Sequence, residues 1–132
     1  MAVKKADKKT NQNNKKKFNS EIAERINELL EAGMTYRPNG GVALPEGTDY
    51  ECVLHNSIDV VEREEENDFY LLVEADVTSE EHEIEKTLKI RVPEAVAEMV
   101  KKEQSLEGVE AKFEVAKYNG IAFVRQTAFV LV

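Results

Sequence analysis

Residues 69–77 read Phe69-Tyr70-Leu71-Leu72-Val73-Glu74-Ala75-Asp76-Val77, and this stretch decides the fold. Phe69, Leu71, Val73, Ala75 and Val77 share one parity, and Tyr70, Leu72, Glu74 and Asp76 share the other. A period of two puts these sets on opposite faces of a strand, one toward a core and one toward solvent. The same alternation recurs on both sides. Upstream, Tyr50, Cys52, Leu54, Ile58 and Val60 alternate over 48–61, with Asp49, Glu51 and His55 opposite. Asn56-Ser57 interrupts that pattern as a bulge would where a long strand bends.

Downstream, beyond the polar turn 78–82, Ile84, Leu88, Ile90 and Val92 point inward and Thr87, Lys89 and Arg91 outward. Lys86 falls on the inward parity and is expected near a strand end or bulge. Pro93 then opens a short helix at the position proline tolerates best. Its packing face is Ala95, Val96, Met99 and Val100, and Gly108 lies beyond its end. A fourth strand follows, with Val109, Ala111, Phe113 and Val115 inward. Tyr118-Asn119-Gly120 is a hairpin signal, because Asn-Gly accepts the positive φ angles of a tight turn. The last strand, 121–132, is rich in aromatic and β-branched residues, and its alternation blurs near Arg125.

Toward the N-terminus, residues 18–32 read as a helix. Asn19 or Ser20 can cap it, Glu21 and Glu24 suit its positive end, and Gly33 can end it. Ile22, Ile26, Leu29 and Leu30 form one apolar stripe. That stripe is expected to cover an end or edge of the sheet, ahead of a partner protein or a second subunit. Residues 34–46 hold Arg37-Pro38-Asn39-Gly40-Gly41 and the start of Leu44-Pro45-Glu46-Gly47, a density of Pro and Gly that marks a connection.

A chain of 132 residues supports one domain and a tail, with 42% hydrophobic residues enough for a modest core. No apolar run approaches the roughly 20 residues a membrane helix needs. The start, Met1-Ala2-Val3-Lys4-Lys5, is basic without an apolar segment after it, and Cys52 is the single cysteine. These features lead us to expect a cytoplasmic protein.

The net charge of −8 hides an asymmetry. Residues 1–17 carry seven lysines against Asp7, a net +6, which leaves −14 on the rest of the chain. With almost no apolar side chains, 1–17 reads as a disordered basic arm, either tracking phosphates or serving as a solubilising tail.

No constellation points to catalysis. His55 and His82 are the only histidines and lie on different segments, and Cys52 has inward parity. One cysteine and two scattered histidines make a poor zinc set. Asn39-Gly40-Gly41 lacks the Lys-Ser/Thr of a phosphate-cradling loop. Glu62, Glu64, Glu65, Glu66 and Asp68 lack the spacing and bend-forming Gly of a calcium loop, so a solvated turn is the better reading. A non-enzymatic protein with no cofactor and no metal is expected.

The order strand–strand–strand–helix–strand–strand resembles that of the oligonucleotide/oligosaccharide-binding barrel, the OB-fold. The resemblance spans 48–132 and implies a mainly β chain: a five-stranded OB-type barrel of order β-β-β-α-β-β, preceded by an N-terminal helix. The division is then a basic arm at 1–17, helix and Gly/Pro linker at 18–47, and the barrel at 48–132. The lead-in Leu44-Pro45-Glu46-Gly47-Thr48-Asp49-Tyr50 and the Phe113-to-Val130 ending are similar in style to small phage-type single-stranded-DNA-binding proteins.

In an OB barrel the second and third strands and their flanking loops form the ligand surface. The resemblance therefore implies a nucleic-acid-binding set of Tyr70, Lys89, Arg91, Lys117, Tyr118 and Arg125, joined by Lys15, Lys16 and Lys17 of the arm. Aromatic faces would stack bases and cations would track phosphates. The implied partner is single-stranded nucleic acid, in replication or recombination. Charge supports an alternative: an acidic protein–protein interaction module, or a DNA mimic that inhibits a basic protein, since a body at −14 repels phosphates.

Overall fold

The computed structural model describes residues 11–132, with side chains described from Asn19 onward. Two helices and seven strands follow in the order α1 (Asn11–Glu31), β1 (Thr35–Tyr36), β2 (Gly47–Arg63), β3 (Asp68–Ser79), β4 (Ile84–Arg91), α2 (Glu94–Lys101), β5 (Glu110–Tyr118), β6 (Ile121–Val124) and β7 (Val130–Leu131). A 3₁₀ turn, Gln126–Ala128, separates β6 from β7. The fold is mainly β. No helix of the described residues is long and apolar enough to cross a membrane.

The strands form one mixed sheet ordered β1-β3-β2-β5-β6, with β4 also on β3 and β7 also on β5. β2 and β3 pair antiparallel from Glu51↔Thr78 to Arg63↔Asp68. β3 pairs β4 antiparallel from Leu72↔Arg91 to Ser79↔Ile84, and its first two residues pair β1 in parallel. β5 lies on the other side of β2, through Tyr50↔Phe113 and Cys52↔Ala111. The interruption at Asn56-Ser57 is a register shift between Leu54 and Ile58, as the sequence implied. There the Asn56 side chain replaces lost ladder bonds: its Oδ1 accepts from Leu106 N and its Nδ2 donates to Asn19 Oδ1.

The five-strand barrel is corrected to a seven-strand sheet that stays open. The extra strands are two-residue pairings: β1 within the supposed connection, and β7, split from β6 by the 3₁₀ turn where alternation blurred. Closure fails because residues 37–44 occupy the slot between β4 and β6. Val42 N donates to Ala122 O at 2.8 Å, and Gly41 bridges Phe123. On the opposite side β4 reaches this segment with side chains, Lys86 Nζ donating to Ala43 O and Arg91 Nη1 to Asn39 O. Lys86 thus leaves the core through a carbonyl, with no bulge at its position.

Inward parity held along the long strands. Tyr50, Cys52, Leu54, Ile58, Phe69, Leu71, Val73, Ala75, Val77, Ile90, Val92, Ala111, Phe113 and Val115 are all buried. In α2 the buried set is Val96, Ala97 and Val100; Ala97 takes the place expected of Ala95, which is exposed.

Helix α1 begins at Asn11, seven residues before the expected start, so 11–17 of the supposed arm belong to it; residues 1–10 lie outside the described residues. Asn19 and Ser20 are accordingly not caps. Asn19 is buried and donates to Gln104 O at 2.9 Å, while Ser20 Oγ donates to Glu103 at 2.7 Å. Polar side chains that looked local are tertiary ties to the α2–β5 loop. Ile22, Ala23, Ile26 and Leu29 are buried, whereas Leu30 stays exposed. Ala23 and Leu30 share a helical edge two turns apart, so the cover over that edge ends before the last turn. Gly33, at φ +89°, ends the helix in the left-handed conformation.

Candidate nucleic-acid interface

The outer face of β2, β3 and β4 is assembled by register. Val61 lies opposite Tyr70, Asp59 opposite Leu72, and Leu72 opposite Arg91; next come Glu74 with Lys89 and Asp76 with Thr87. Tyr70 and Arg91 are therefore diagonal neighbours, within reach of a long side chain across adjacent strands. The guanidinium carbon of Arg91 sits 3.4 Å from the Tyr70 ring centroid, a cation–π stack. Arg91 Nη1 also donates to the carbonyls of Asn39 and Arg37. Among the described residues it forms no ion pair with a carboxylate.

Gly40 makes this placement possible. A Cβ there would lie 2.1 Å from Arg91 Cζ, so any side chain would expel the guanidinium. The next residue, Gly41, faces Ile121 at 3.6 Å from its own ideal Cβ. The glycine pair thus joins the Tyr70–Arg91 stack to the start of β6 and to the β5–β6 hairpin. That hairpin turns on Asn119 (φ +51°) and Gly120 (φ +79°), both left-handed as expected from Asn-Gly. At its tip Lys117 is exposed and Tyr118 is 71% exposed.

The other expected residues lie apart from the stack or are already paired. Lys89 forms an ion pair with Asp59, and Arg125 pairs Glu114 at 3.2 Å on β5. Lys15, Lys16 and Lys17 fall on the first turns of α1. Asp59, Gly40 and Asn39 went unread as site residues in the sequence. Nothing in the sequence sets Asp59 apart from the other acids, and the glycines read as loop punctuation; the partners they meet in the fold are not visible in one dimension.

Toward the far end of the face the chemistry changes. His55 sits between two carboxylates, Nδ1 2.9 Å from Glu107 and Nε2 2.8 Å from Asp76. Those hydrogen bonds, Glu107 first, hold its pKa above the ordinary 6.5. Asp76 is held below the usual carboxylate range by Thr87, then by His55. The linkage has a definite sign. His55 contributes stability that is fully present below about pH 6.5 and is lost as pH rises through its elevated folded value. Denaturation midpoints in urea, taken from pH 5.5 to 8.5, are expected to fall on the alkaline side in the native chain. The fall should be absent in His55→Gln; the same slope in both would exclude this origin.

Cys52 is buried in β2, which pushes its thiol up to about 12 and leaves it protonated and inert. Asp68, expected in the solvated acid turn, is instead buried and clamped by Arg63 at 2.7 Å and Arg37 at 2.9 Å, which holds its pKa down. Among the described residues no group of three or more His, Cys, Asp or Glu is arranged to hold a metal ion. Comparison with family models, curated proteins and solved structures returns no match to this chain.

Proposed function

We propose that the chain is a non-enzymatic binder of single-stranded DNA, of phage or mobile-element type, acting in replication or recombination in the cytoplasm. The observation that carries this reading is the Arg91–Tyr70 stack, a planar cation over an aromatic ring with no carboxylate paired to it among the described residues. Bases stack on aromatic rings, at about 1–3 kcal/mol each, and also on guanidinium planes. Pairing order adds support. β2 lies between β3 and β5, β4 follows on β3, and α2 connects β4 to β5. That order resembles the OB-fold's, and on this reading β3 and β4 would be the ligand strands and the β5–β6 hairpin a flanking loop.

Charge then orients the ligand. Asp59, Glu74, Asp76 and Glu85 share the face with Lys89 and Arg91, so phosphates are repelled over most of it. On this reading bases face the sheet, and phosphates turn outward toward exposed Lys117. A duplex hides its base faces and cannot bind this way. Single strands are the favoured class.

The test is fluorescence anisotropy of a labelled oligo-dT at low and moderate salt. Binding is expected, weakening steeply as salt rises, with a shallower slope after Lys15, Lys16 and Lys17 are replaced by Gln. A folded sample that binds no oligonucleotide at low salt would end this reading. The Lys89–Asp59 and Arg125–Glu114 pairs favour the second one, an acidic module docking on a basic protein, because they commit two of the cations expected to bind. A partner captured from nuclease-treated lysate, without oligonucleotide binding, would select it.

A further inference from the structure

Lys89 lies on β4 and Asp59 on β2, with β3 between them. In register Lys89 is opposite Glu74, and Asp59 is opposite Leu72, the residue next to both Tyr70 and Arg91 in the outer rows. To reach Asp59, the Lys89 side chain crosses the outer face of β3 diagonally. The pair is a strap over the surface beside the Tyr70–Arg91 stack. Both side chains remain substantially exposed, 41% and 52%, so the strap is of the kind that contributes little to folding and opens readily.

We propose that Asp59 is an affinity-setting residue of this face: it holds the Lys89 ammonium across β3 and withholds that cation from an entering single strand. This rests on the reading of the face as a single-stranded-DNA surface. The consequence is a built-in competitor. Base stacking on Tyr70 and Arg91 provides the hold, while Asp59 withholds the phosphate contact that Lys89 would make. A surface of this kind binds weakly and releases easily, as a protein that must be cleared from a strand requires.

The experiment compares the full-length native chain, Asp59→Asn, Lys89→Met and the double variant for oligo-dT binding across a salt series. Because the pair is exposed, Asp59→Asn is expected to fold, which an unchanged urea midpoint verifies. It should bind about threefold tighter at low salt, the scale of a surface ion pair. Its salt slope should steepen by about 0.7, the increment for one added phosphate contact on a single strand. In the Lys89→Met background, Asp59→Asn should leave the slope unchanged. Equal affinity and slope for native and Asp59→Asn chains would overturn the proposal while leaving the DNA-binding reading intact. Tightening without a Lys89-dependent change of slope would also overturn it, since simple relief of repulsion would then suffice. Absence of binding by both chains would overturn the two readings together.

Discussion

Replacing Phe113 with alanine is expected to remove about 3–5 kcal/mol of folding stability, the range for truncating a fully buried phenylalanine. Phe113 is 1% exposed and lies in β5 opposite Tyr50 of β2. Its ring stacks on Tyr50 at 5.2 Å and 10°, and on Phe129 at 5.9 Å and 16°. The column adds a core contact to segments that strand pairing already joins, β2 with β5 and β5 with β7. Tyr50 belongs to the first long strand and is anchored by its hydroxyl donating to Pro45 O, while Phe129 sits between the 3₁₀ turn and β7. Truncation leaves a void between two aromatic faces. A domain of this length holds roughly 7–20 kcal/mol in total. Urea denaturation should therefore show a much lower midpoint with unchanged slope. A loss below about 1 kcal/mol would mean that the column is not a support of the fold.

Replacing Tyr70 with alanine is the second large change, and it acts on binding and not on folding. Oligo-dT affinity is expected to drop about tenfold, as loss of one base–aromatic stack implies. The salt slope should be unchanged, because no phosphate contact is removed. The ring is also the platform that holds Arg91 flat, so the change should exceed that of Tyr118→Ala at the exposed hairpin tip. Arg91→Lys offers the complementary variant: it keeps the charge but loses the planar guanidinium and the Nη1 donor to Asn39 and Arg37. Its affinity should also fall. A tyrosine variant that binds like the native chain, or one whose slope alone changes, would remove the stack from the ligand surface.

Much of this fold was legible in the order of residues. The alternation through 69–77 placed β3 and its buried face, and Asn56-Ser57 marked the bulge in β2. Pro93 marked the start of α2, and Asn119-Gly120 fixed the hairpin. These features depend on neighbours in the chain: a period of two, a missing N–H, a positive φ. The extent of α1 was not legible, because its first turns hold Lys, Asn and Gln with no apolar period to signal a helix.

What only the tertiary structure decided is where chemically ordinary residues meet. Asn19 looked like a cap and is a buried tie to Gln104 and Asn56. Residues 37–44 looked like a connection, yet they fill the slot that would have closed a barrel, held by Ala122 on one side and by Lys86 and Arg91 on the other. The candidate site shows the same division. Parity put Tyr70, Lys89 and Arg91 on one outward face. Only the cross-strand register stacked Arg91 on Tyr70 and drew Lys89 to Asp59. Sequence periodicity determines which face a side chain takes, because that is a local property of the backbone. Which partner it finds on that face is set by register, bulges and loops that pack residues far apart in the chain.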